Sequence, residues 1–193
     1  MSQTLALPWQ FISPANYWYF SRAAGIVAYV FIWSCVFTGI LLKTKFVKKL
    51  GIAAEVNSAH NASARLGFYF VVFHITVLYF DSTVGSQVGQ MLWPAMSHVE
   101  NVGSVGLEIG KFALYAMVVL GVGFFTMRKH QAVVRLLHLL AYPAFFLALG
   151  HGILLGTDRN LAWLQMLYWF TGSAVVIAVW LRAMTYFAQP LEA

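Results

Sequence analysis

The sequence predicts an all-α integral membrane protein, a helical bundle of about five transmembrane helices with an interfacial N-terminal segment. Two observations of composition and one of pattern predict it. The chain is 61% hydrophobic and only 9% charged, against roughly 25% charged residues in soluble domains. Its mean hydropathy is +0.74. The apolar residues gather into five runs of the ~20 residues that cross a ~30 Å hydrocarbon core at ~1.5 Å per residue, and most charged residues fall at the ends of those runs.

Taken in order, residues 1–22 hold Trp9, Phe11, Tyr17, Trp18, Tyr19 and Phe20 among Pro8, Ser13, Pro14 and Asn16. This stretch is too broken to span, and such rings favour the headgroup region, so it is expected to lie on the outer surface. The first span covers residues 23–42, between Arg22 and Lys43. The second covers residues 66–80, is extended at its start by a polar turn holding His60, and stops at Asp81. Residues 82–106 form the longest internal loop, with several glycines and the run Met91-Leu92-Trp93-Pro94, and are expected to fold back over the outer end of the bundle. The third span covers residues 107–127, the fourth 133–155 and the fifth 161–183. Short connections make sequence neighbours antiparallel neighbours in space. Residues 23–184 therefore read as one bundle and residues 185–193 as a short cytoplasmic tail.

The formal charge of +6 is not a nucleic-acid signature, because the basic residues sit beside apolar spans and form no long basic tract. Anionic lipid headgroups are the expected partner. Lys43, Lys45, Lys48, Lys49 and Arg65 follow the first span, and Arg128, Lys129 and Arg135 follow the third. The other two loops hold only Lys111 and Arg159 among Asp81, Glu100, Glu108 and Asp158. Basic residues are retained on the cytoplasmic side, so the N-terminus is expected outside, in the periplasm of a bacterial inner membrane, and the C-terminus in the cytoplasm. Spans two and four then run the same way. No basic region with a short apolar core and a cleavage site opens the chain, so no removable signal peptide is expected. The single cysteine, Cys35, supports neither a disulfide framework nor an iron–sulfur or zinc cluster. Gly121-Val122-Gly123 belongs to an apolar span and is not a nucleotide fingerprint.

Ionisable side chains are costly in lipid and mark function. Four histidines form two pairs, His60 with His74, 14 residues apart, and His138 with His151, 13 apart. On a helix the first pair is ~21 Å apart along the axis and within ~40° of one face. The second pair is ~20 Å apart but ~140° out of register on an ideal helix. Pro143 lies between them and is expected to loosen or kink the helix and recover part of that angle. In parallel helices the first of each pair meets the other first, His60 with His138 and His74 with His151. Each couple can hold one haem iron through two neutral imidazoles, leaving no open position and favouring electron transfer over oxygen binding. The four histidines are therefore candidate metal ligands for two stacked b-type haems. Small residues nearby, including Gly67, Ala141, Ala148, Gly150 and Gly152, are expected to let a flat macrocycle approach the backbone. Arg65, Arg128 and Arg135 are candidate partners of haem propionates, with Arg22, Lys111 and Arg159 as lesser candidates at the other end. His98 and His130 have no partner at a suitable spacing.

Arg22-Ala23-Ala24-Gly25-Ile26-Val27-Ala28-Tyr29, Arg65-Leu66-Gly67 leading to His74, Thr126-Met127-Arg128, and Leu137-His138-Leu139-Leu140-Ala141-Tyr142 followed by His151-Gly152 together resemble the ferric reductase-like transmembrane domain. That module is shared by ferric reductases, NADPH oxidases and the haem-binding membrane subunit of a bacterial methionine sulfoxide reductase system. The resemblance spans about residues 19–184. It implies two b-type haems, a cytosolic electron source and delivery at the outer face. Unlike full-length reductases, this chain is not expected to carry a flavin or nicotinamide domain, so electrons come from a separate reductase, a bound flavin or a quinol.

The expected function is a transmembrane electron-transfer subunit relaying electrons between a cytoplasmic or quinol donor and a periplasmic acceptor, alone or within a larger membrane complex. One alternative is a stand-alone oxidoreductase acting on ferric chelates or quinones. Another is an anchor or assembly subunit whose histidines are hydrogen-bonding glue.

Overall fold

The computed structural model describes residues 14–82, 84–85, 88–93, 102–126 and 131–187. Among these the chain is helical, with α1 (Pro14–Leu41), α2 (Lys45–Leu50), α3 (Ala53–Tyr79), α4 (Val88–Met91), α5 (Val102–Thr126), α6 (Gln131–His138), α7 (Ala141–Leu155) and α8 (Ala162–Phe187). Five stretches are long and apolar enough to cross a membrane, the fourth made of α6 and α7 together. The chain is an all-α, multi-pass membrane bundle.

α1 begins at Pro14, nine residues before the expected start of the first span. Proline at the first helical position loses nothing, since its missing N–H would have no intrahelical partner there. α1 ends before a turn in which the Thr44 side chain accepts from the Val47 N–H and caps α2, and Gly51, at φ 71°, closes α2 in the left-handed conformation. α3 is a single helix from Ala53, so His60 sits within it and not in a polar turn. Asn57, Ser58, Asn61 and Ser63 interrupt the apolar pattern, but with no proline or glycine among them the helix runs on.

α1 and α3 form one antiparallel hairpin, and α5 with α6–α7 a second. α1 joins the halves, packing also on α7 and α8. The buried core lies there, with Tyr29, Val36 and Ile40 of α1, Phe145 of α7 and Val175 of α8. Tyr29 stacks on Phe145 at 5.9 Å between ring centroids, meets Tyr168 edge-on at 5.3 Å, and places its hydroxyl on Thr171. The Arg22 guanidinium makes a two-point ion pair with Asp158, Nε donating at 2.9 Å, and so ties the start of α1 to the α7–α8 turn. After α3, Val84 N–H is held by the Asp81 carboxylate at 3.2 Å. The segment ending at Trp93 folds back on α5, where Tyr115 donates to the Leu92 carbonyl at 2.7 Å.

The fourth span breaks just after His138. Leu139, Leu140 and Tyr142 each bond to the carbonyl three residues back, at 3.0, 2.9 and 3.3 Å. Pro143 explains the break, since it offers no N–H to the Leu139 carbonyl and its ring crowds that same carbonyl. Each 3₁₀ step turns the chain ~20° further than an α step, so the three recover roughly 60° of the ~140° by which His138 and His151 would miss one another.

Candidate paired-histidine site

Three of the four histidines have their Nδ1 fixed in the same way. His60 Nδ1 donates to the Cys35 carbonyl at 2.8 Å, His74 Nδ1 to the Ser21 carbonyl at 2.7 Å, and His151 Nδ1 to the Gly106 carbonyl at 2.9 Å. A carbonyl oxygen carries no hydrogen, so Nδ1 must hold the proton in each ring. Nε2 is then left with its lone pair, the form that ligates a metal. Ser21, itself buried, adds a hydroxyl 3.0 Å from His74 Nδ1 that also reaches the His74 carbonyl at 3.2 Å. The Cys35 thiol lies 3.6 Å from His60 Nδ1.

A glycine lies four residues after each accepting carbonyl, one turn further along the same helix. A methyl group on Gly39 would stand 3.1 Å from the His60 ring, and one on Gly25 3.2 Å from the His74 ring. On Gly110 it would stand 2.7 Å from Cε1 of His151, closer than real contacts allow. α1 thus carries two seats, Ser21 with Gly25 and Cys35 with Gly39, spaced by the same 14 residues as His74 and His60 on the antiparallel α3. α5 carries a third, Gly106 with Gly110.

Across the bundle, the His60 and His138 ring centroids are 6.1 Å apart, with planes inclined at 51°. Two imidazoles on opposite sides of one metal, at about 2 Å per bond, have centroids about 6 Å apart. His74 and His151 are electrostatic neighbours, as are His138 and Lys43. The histidine-bearing helices α3 and α6–α7 do not pack closely on each other, each resting instead on its own partner, α1 or α5. Among the described residues no three of His, Cys, Asp and Glu gather into one group.

The remaining sequence candidates fall in several places. Arg135 is exposed on α6, one turn before His138, while Arg65 is exposed on α3 and lies ~140° around that helix from His60. Arg128, like His98 and His130, falls outside the described residues. At the opposite end Arg22 pairs with Asp158 and Arg159 bonds the Leu154 carbonyl. Lys111 is not a loop residue but lies buried within α5, 2.8 Å from Glu108. Two of the small residues act differently from expectation. Gly67 lets α3 approach Ile32 and Phe31 of α1, and Gly152 lets α7 approach Tyr168 of α8, so both serve helix packing. The seats themselves, Ser21, Gly25, Cys35, Gly39, Gly106 and Gly110, were not among the sequence candidates. The shared 14-residue interval of Gly25–Gly39 and His60–His74 is the signal that would have revealed two of them.

No family model, curated protein or solved structure matches this chain.

Proposed function

We propose that this chain is a dihaem electron-transfer protein of a bacterial inner membrane, relaying electrons between a donor at its basic, cytoplasmic end and an acceptor at the periplasmic end. The observation that carries the reading is the 6.1 Å separation of the His60 and His138 rings, together with Nδ1 of His60, His74 and His151 each committed to a backbone carbonyl. With the proton fixed on Nδ1, Nε2 of each of these rings carries the lone pair that a metal needs.

His60 and His138 would hold the inner haem, His74 and His151 the outer one. Bound there, each haem would supply a one-electron iron couple. The carbonyls of Cys35, Ser21 and Gly106 orient the rings and fix the proton on Nδ1. Lys43, an electrostatic neighbour of His138, and Arg135 supply positive charge beside the inner pair, suited to propionates. The resemblance to ferric reductase-like domains agrees with this ligand set. A separate reductase, a flavin or a quinol is the proposed donor.

The test is a reduced-minus-oxidised spectrum and haem assay of the purified protein. Two b-type haems per chain are expected. His151→Ala should remove one and His138→Ala the other. Protein that binds no haem, or whose haem content neither variant changes, overturns the proposal.

A further inference from the structure

A cavity of about 680 Å³ opens between α1 and α8 at the basic end of the bundle. Four cations line it: Lys43, Lys45 and Lys48 from the α1–α2 region, and Arg182 from α8. No acidic residue lines it. Glu55 is the only acidic side chain among the described residues at that end, and it lies elsewhere on α3. Away from the cations the walls are apolar, with Phe37 on α1 and Phe170, Ala174 and Ile177 on α8.

The dimensions suit one class of occupant. From Arg182 to Phe170 is 12 residues of α8, or ~18 Å of helix, slightly more than the ~15 Å depth of one leaflet's hydrocarbon. The lining therefore runs from a cationic mouth at headgroup level to an apolar floor near the bilayer midplane. A neutral quinol would offer Lys45 and Lys48 no counter-charge. An acidic protein segment would leave the hydrophobic length uncovered. We propose that this groove is a binding site for an anionic phospholipid, its phosphate held by Lys45 and Lys48 and one acyl chain laid between α1 and α8. The proposal does not depend on haem.

The experiment is native mass spectrometry of the purified full-length protein, titrated with phosphatidylglycerol or with phosphatidylcholine. Phosphatidylglycerol should be retained preferentially. The double substitution K45Q/K48Q should weaken its retention by about tenfold or more, since each cation near an anionic headgroup contributes to binding. Lys49 is on the same helix but does not line the groove, so K49Q should change little. Ala174→Trp fills the apolar part without touching a charge and should also displace the lipid. Equal retention of both lipids, equal loss in K49Q and K45Q/K48Q, retention unaffected by Ala174→Trp, or a quinol held in place of phospholipid would each overturn the assignment.

Discussion

A single methyl group should separate the outer site from the inner one. Gly110→Ala places a carbon 2.7 Å from Cε1 of His151 and closer still to its Nδ1, and a packed helix pair cannot yield that much without moving the ring. The expected outcome is a fall from two haems towards one per chain, read by haem assay, with the inner haem retained. Cys35 gives the opposite prediction. Its carbonyl accepts from His60 at 2.8 Å, whereas its sulfur lies at 3.6 Å, so Cys35→Ala should keep both haems, and loss of the inner haem would show that the thiol does the anchoring. Neither effect was legible in the sequence. A backbone carbonyl belongs to every residue, so nothing in the letters at positions 21, 35 and 106 marks them as acceptors. The histidines themselves stood out because an ionisable group in an apolar run requires a reason.

The decisive feature among the helices is the interruption between α6 and α7. Pro143→Ala restores an N–H for the Leu139 carbonyl and removes the ring that crowds it, and alanine is about 3 kcal/mol better than proline inside a helix. The variant should therefore fold at least as well, with α6 and α7 fused and His138 swung back by roughly 60°. Loss of the inner haem in a protein of undiminished thermal stability is the expected result. Retention of both haems would show that the break does not set the ligand's direction. Pro143 was visible as a kink site, but the break lies ahead of it, at Leu139 and Leu140, because a proline disturbs the turn that precedes it. The start of α3 was less legible. The polar residues around His60 looked like a turn, yet a helix leaving the hydrocarbon can carry Asn and Ser on its wetted first turns.

For the molecule as a whole, five spans and their connections followed from run length and charge placement, since lipid leaves few alternatives to helices. Which helices touch did not follow. α1 became the hub because its small and aromatic faces meet α3, α7 and α8 together. The Arg22–Asp158 pair fastens that arrangement at one end, with side-chain exposures of 26% and 23%. Asp158→Asn should cost about 1–2 kcal/mol, more than an exposed pair because the partner charge stays half-buried. A lower thermal midpoint in Asp158→Asn, recovered in the swapped Arg22→Asp/Asp158→Arg chain, is the expected reading. No recovery would mean that the residues act separately.

The carbonyl seats also bear on the order of biogenesis. His60 and His74 lean on α1, which precedes them in the chain, and His151 leans on α5, which precedes it. Each wall is furnished by residues already synthesised when its imidazoles emerge, so under the proposed function cofactor capture would be the closing event of assembly and not its seed. Two fragments divided between α4 and α5 and made in the same cell should then recombine around the pigment, and failure to recover a coloured complex would show that the walls are not built separately.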